Sequence, residues 1–401
     1  MIRYNIGNES SIMTTRTRLY ILSLALCLPL SIQAQDGDEI VDKFNPILTA
    51  VTSQSICPEA RAGGMGDVGV ATDPDVHSQA WNPAKYPFAI SRAGLSIDYT
   101  PWLRQLTEGI NMINASGYYR IGDYSAVSAS VRYFSLGDVT TEDMSMTIKP
   151  YEFAVDAAYS RMLSETFSAA VALRYIYSDL SGHYDDSQEP GSAFAADLAI
   201  YNQSYLNIGR RECQLGIGLN ISNVGSKISY GDDRSYFLPT KLALGGSLMI
   251  PVNEYNLFSI AADVSKLLVP SMPLQRADES DEDFNQRIQD KYYDMSSISG
   301  IFKSFGDSEK GFKGELEEVY WSVGAEYTYN DKFTLRAGYH HESEAQGGRK
   351  YFTVGAGFRM NVLSIDAGYV IATQSTNPLD RTLRVSLAFD FDGLRDLFGR
   401  R

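Results

Sequence analysis

Leu383-Arg-Val-Ser-Leu-Ala-Phe-Asp-Phe391 decides how this chain must be read. In an extended strand successive side chains point to opposite faces, so Leu383, Val385, Leu387, Phe389 and Phe391 share one side. Arg384, Ser386, Ala388 and Asp390 share the other. A soluble sheet also alternates, but its apolar face meets a core. Here similar segments recur along most of the chain, with aromatic residues near their ends. That combination predicts an all-β fold, a transmembrane outer-membrane β-barrel with lipid outside and a polar lumen inside.

Working outward, comparable segments fall near 92–100, 112–121, 124–134, 150–160, 166–177, 192–202, 212–222, 239–250, 256–265, 318–329, 332–341, 350–360, 362–372 and 381–391. This is about 14 antiparallel strands, an even number as single-chain bacterial barrels require. Short links such as Gly122-Asp123 and Asn330-Asp331 alternate with longer ones such as 136–149 and 223–238; only the 202–212 link is ambiguous. Short turns belong on the periplasmic side and long loops outside. On that rule both termini are periplasmic.

Composition agrees. The 401 residues include 26 Tyr, suited to interfacial girdles, and the net charge of −14 argues against nucleic acid as a partner. Mean hydropathy is slightly negative, which excludes a helical membrane bundle but not a barrel, where only alternate residues are apolar. Residues 1–34 read as a signal peptide, with Arg16 and Arg18 before an apolar run and Ala34 before the cut; Met13 is a candidate true start. Residues 35–91 then form a periplasmic or plug-like segment, 92–392 the barrel and 393–401 a periplasmic tail. Cys57 and Cys213 remain in the mature chain, as a disulfide or as two thiols.

The inward positions carry Arg132, Arg174, Arg336, Arg359 and Arg384 together with Glu152, Asp156, Asp197, Asp263, Glu326, Asp366 and Asp390. Buried charges need partners, so this mixed lumen predicts a filled interior. The longest connection, 267–316, has helix signals of its own. Ser280 can N-cap a helix opening on Asp281, Glu282 and Asp283. Phe284, Ile288 and Tyr292 then share a face, and Ile301, Phe302 and Phe305 repeat the spacing. Packing onto the barrel mouth is the plain reading of these faces. Docking of another protein is the sharper one, which makes these six residues the candidate partner-binding set.

Between signal and barrel stands Ala60-Arg-Ala-Gly-Gly-Met-Gly-Asp-Val-Gly-Val-Ala-Thr-Asp-Pro-Asp-Val-His-Ser-Gln-Ala-Trp-Asn-Pro-Ala84. Its Gly64-Met-Gly-Asp-Val-Gly69 fits the G-x-G-x-x-G pattern but lacks the strand–helix context of a dinucleotide site. Gly63, Gly64, Gly66 and Gly69 are instead expected to thread closely against the barrel wall, with Trp81, Asn82 and Pro83 anchoring the segment. This stretch resembles the N-terminal motif of the FadL-like outer-membrane superfamily. With Asn45–Phe88 taken whole, it resembles more closely the PorV (LptO) family of the type IX secretion system. The resemblance implies binding of C-terminal signal domains of secreted cargo and their passage from the translocon to a cell-surface attachment complex. It also implies a protein that is not an enzyme.

The residues themselves point to no catalytic, cofactor or metal site. His340-His341-Glu342 lacks the helical i, i+4 spacing of a zinc pair and reads as rim polarity, and no serine nucleophile elbow is present. Passive transport of hydrophobic small molecules is the competing reading; it needs an apolar tunnel, against which the inward charges count.

Overall fold

The computed structural model describes residues 44–104, 109–140, 147–180, 189–231, 234–276, 278–373, 377 and 379–391. The signal peptide and the tail at 393–401 lie outside these residues. Fourteen strands make a closed antiparallel barrel: β1 Ala93–Pro101, β2 Ile110–Ile121, β3 Ser125–Leu136, β4 Tyr151–Met162, β5 Phe167–Asp179, β6 Gly191–Ile208, β7 Arg211–Gly225, β8 Lys241–Asn253, β9 Asn256–Leu267, β10 Val319–Tyr329, β11 Phe333–His341, β12 Lys350–Arg359, β13 Leu363–Ala372 and β14 Leu383–Asp390. Each pairs with its chain neighbour, and β1 closes on β14 from Gly94↔Asp390 to Tyr99↔Val385. Among the described residues the ladder runs round the wall without a lateral gap.

The alternation that identifies the strands is visible in exposure. Leu383 and Val385 face outward, while Arg384 is 1% exposed and Ser386 is fully buried. On β5, Val171 and Leu173 face out while Ser168 and Arg174 face in. Aromatic rings gather near the long-loop end of the outer wall, with Tyr133–Tyr151, Tyr175–Phe194 and Tyr339–Phe352 centroids 5.7, 5.2 and 4.8 Å apart. Amphipathic rings suit the boundary between lipid and water. The ambiguous 202–212 link is a tight turn at Gly209-Arg210, flanked by the two longest strands.

Among the described residues the N-terminal segment crosses the lumen; the chain ends themselves, expected in the periplasm, lie outside them. Its described beginning sits at the long-loop mouth, where Asn45 N donates to Ala345 O (3.1 Å) and Ala50 N to Phe237 O (2.9 Å). Its end lies at the short-turn mouth, where Arg120 Nη1 donates to Ala89 O (2.8 Å). Phe44 and Phe391 therefore lie at opposite mouths. The physical reason is local: Ile47 packs against Phe237, Val269 and Tyr292, whereas β1 starts at the short-turn end. The two cysteines are free and buried, Cys57 in the plug and Cys213 near the tip of β7, so they form no disulfide.

Candidate functional site

The lumen is held shut by charges that find partners on the plug and across neighbouring strands of the wall. Arg384 Nη1 lies 2.8 Å from Asp67 Oδ1. Arg61 bridges Asp75 (2.7 Å) and Glu326 (3.1 Å), and Arg336 links Glu326 (2.6 Å) to Asp366 (2.5 Å). Arg174 reaches Asp197 (2.8 Å), Asp156 (3.4 Å) and Asn223. Arg132 donates to Ser53 O (2.9 Å), and Glu152 accepts from Ser53 N (3.1 Å). Asp263 accepts from the amides of Gly69 and Val70. The expected pairing of Arg359 does not occur: it ends β12 at the short-turn rim and is exposed, with no ion pair among the described residues.

The glycine run works by contact. Gly64 approaches Gly355, where an added Cβ would meet the Gly355 Cα at 3.0 Å. Gly66 has φ +75° and lies against Tyr339, with its amide donating to Thr353 Oγ1 (2.8 Å). On the wall, Gly324 and Gly338 receive Met65, and Gly218 receives Val70. Gly63 lies against Arg384 and Gly69 against the Trp81 ring. Trp81 donates from Nε1 to Glu59 Oε1 (3.1 Å), Asn82 Nδ2 bonds Val70 O and Ile200 O, and Pro83 opens a 3₁₀ turn. The mid-barrel cleft among Glu59, Arg61, Val68, Trp81 and Lys85 has essentially no free volume.

The long-loop mouth is different in kind. Ser280 caps α1 (Asp281–Ile288) by accepting from Asp283 N, a helix that continues as a π turn through Tyr293. α2 (Ser297–Lys303) and α3 (Phe312–Glu317) follow, the last not anticipated from the sequence. The six candidate partner-binding residues divide. Tyr292 is buried, with its ring 5.3 Å from Phe237 and its hydroxyl donating to Leu48 O (2.9 Å). Ile288 packs with it, Phe284 is covered by the Arg287 guanidinium, and Ile301 is half-buried. Phe302 (75% exposed) and Phe305 (40%) face solvent, and Ile298, Phe312 and Leu316 join them. The helical spacing found the apolar positions, but it could not say which side the mouth would cover.

Between the start of the plug and these loops lies a cavity of about 500 Å³, lined by Leu48, Val51, Leu136, Tyr230, Tyr236 and Tyr292 among others, with Glu152 at its inner side. Lys227 Nζ closes the loop by donating to the carbonyls of Tyr292, Tyr293 and Met295, and sits 4.2 Å from the Phe237 ring centroid. Asp307, Glu315 and Glu318 cluster nearby. Lys266 Nζ touches Glu318 and lies 3.0 Å from Glu315, so the chain's own cation holds this acidic group. Burial, then the facing Glu318, push the Asp307 carboxyl up to about 7. His340 stacks on Tyr351 at 4.8 Å and bonds Ser322, while His341 stacks on Trp321 at 5.1 Å, both as wall residues.

Residues 39–274 match the family model described as Type IX secretion system protein PorV. Residues 295–396 match the model described as outer membrane protein transport protein (OMPP1/FadL/TodX). No curated protein matches the chain. Among solved structures it is similar to a FadL homologue of Pseudomonas aeruginosa, with 13% identity, 84% of this chain and 99% of that chain covered, and a TM-score of 0.44. It is also similar to the Pseudomonas putida toluene transporter TodX, with 13% identity, 83% and 98% covered, and a TM-score of 0.45.

Proposed function

The chain belongs to the PorV family of type IX secretion system proteins, within the FadL-like superfamily, and on that premise we propose that its long-loop mouth binds the C-terminal signal domains of secreted cargo. In this reading the barrel is a membrane-held platform, not a conduit. Cargo leaves the translocon, rests on this mouth and passes to the attachment complex at the cell surface. The single observation that supports it is the contrast between a lumen packed with paired charges and a mouth that leaves Ile298, Phe302, Phe305, Phe312 and Leu316 uncovered. Interfaces draw their energy from a few such apolar and aromatic anchors.

The proposal places the long loops outside the cell. Ser297→Cys in intact cells should react with an impermeant thiol reagent, and Phe44→Cys should react from the same side. A triple variant, Phe302→Ala, Phe305→Ala and Phe312→Ala, should keep normal barrel levels while cargo accumulates unprocessed in the periplasm. Normal secretion in that strain would overturn the proposal. A second reading, passive transport of apolar small molecules, is favoured by the cavity lined by Leu48, Val51 and Tyr292. It predicts uptake of such molecules by liposomes carrying the protein, whereas the platform reading predicts none.

A further inference from the structure

At the short-turn mouth β6 outruns its neighbour β5, which leaves the end of β6 without a partner strand on that side. The β5–β6 ladder ends at Phe167↔Asn202, with a last bond from Gln203 N to Thr166 O (2.8 Å). The β7–β8 ladder ends at Gln214↔Met249. Beyond these points β6 and β7 continue, paired only with each other, through Leu206↔Cys213 to Ile208↔Arg211. The turn has Gly209 at φ +66° and no positive φ at Arg210, the type II′ pattern whose twist suits a tight hairpin. At the usual strand rise, Ser204–Ile208 carries β6 about 17 Å past the end of the β5–β6 ladder.

A closed barrel has no edges, and this ribbon restores one. In an antiparallel hairpin alternate residues turn their amide and carbonyl away from the partner strand. Ile208 and Arg211 flank a two-residue turn and bond each other, so Tyr205 and Asn207 direct theirs outward. Gln203, in the same phase, bonds Thr166 in that direction. Below Thr166 the chain turns back through Ser164 and Leu163, and no strand continues the ladder. The ribbon is braced at its root: Gln214 Nε2 donates to Asp73 Oδ1 of the plug (3.0 Å), and Gln203 Nε2 to the Tyr205 hydroxyl (2.9 Å). Tyr205 is 60% exposed and Ile208 47%.

The tip is also electrostatically distinct. Arg210 and Arg211 are exposed and make no ion pair among the described residues. Glu212 follows them on β7, whereas the other links at this mouth carry Asp123, Glu165, Glu254 and Asp331, with Lys332 their one basic residue. We propose that the β6 edge of this ribbon accepts, by strand addition, an extended segment of another polypeptide whose carboxylates reach Arg210 and Arg211. Such addition draws affinity from the backbone bonds at Tyr205 and Asn207 and selectivity from the flanking charges. This surface lies at the opposite mouth from the cargo reading above and does not depend on it.

The test uses the full chain in its native membrane. A photo-cross-linking side chain replaces Tyr205 or Ile208, with Tyr124 of another short link as control. The expected result is an adduct, from the ribbon positions only, with a different protein through a segment rich in Asp or Glu. Asn207→Pro removes one outward amide without touching the β6–β7 bonds, and should cut the adduct about tenfold, as should Arg210→Glu with Arg211→Glu. Each variant is checked for heat-modifiable folding. Hydrogen exchange needs no variant: the amides of Tyr205 and Asn207 should be protected in the complex extracted under mild detergent and exposed in the chain purified alone. Adducts to lipid only, adducts to a second copy of this chain, equal labelling at Tyr124, or equal exchange in the two preparations would overturn the proposal.

Discussion

The lumen and the long-loop mouth are built from the same chain by opposite means. In the lumen a segment of 40-odd residues is fixed by charge pairs and by glycine-to-backbone contact, with Arg384 1% exposed and Gly66 pressed on Tyr339. At the mouth the loop after β9 is fixed by rings and by one lysine over three carbonyls, and it leaves Phe302 three-quarters exposed. The difference separates closing from presenting. A paired charge in a dry site tolerates little change, because breaking the pair strands the other charge. An apolar cap can lose a contact and remain in place, since its neighbours repack.

That contrast is broken most severely by Gly66→Val. A β-branched residue at φ +75° adds backbone strain of roughly 1–3 kcal/mol, and the overpacked wall roughly 1–3 kcal/mol more. The folded, heat-modifiable form should fall sharply in yield; normal folding would show that the plug can draw back from β11. Next is Arg384→Leu, which strands Asp67 and should cost about 3 kcal/mol in unfolding free energy. In planar bilayers the wild type should show little steady conductance, and a large open-pore conductance would contradict the filled lumen.

The mouth should respond more gently. Lys227→Met removes three hydrogen bonds, two to the π turn and one to Met295 just after it, at the cost of about 1–2 kcal/mol of local stability. Proteolysis of residues 268–318 should quicken while the barrel stays folded. The smallest effect is with pH. The Asp307 carboxyl is raised to about 7 in the folded loop, so its contribution is fully present below its ordinary carboxylate value and is lost as pH rises through 7. Loop proteolysis should therefore be slower at pH 5 than at pH 8. Asp307→Asn, which keeps an acceptor for Ser271 N, should remove the difference.

Strand positions, wall facing and the first loop helix were legible in the sequence because each follows from a short-range period. Leu383–Phe391 alternates by two, and Ser280 precedes three acidic residues in a first helical turn. The inward arginines were legible as a set for the same reason. Their partners were not, since Arg384 meets Asp67 more than 300 residues away and Arg359 has no ion pair among the described residues. Nor could helical spacing show that Tyr292 turns in and Phe302 out, because that depends on where Phe237 and Leu48 arrive. The sequence alone thus determined a barrel with a polar, mixed-charge interior and a long helical loop, because periodicity encodes which face each side chain takes. Only the tertiary structure decided that the plug crosses from mouth to mouth and that β6 outruns β5, because threading and register are set by contacts between segments far apart in the chain.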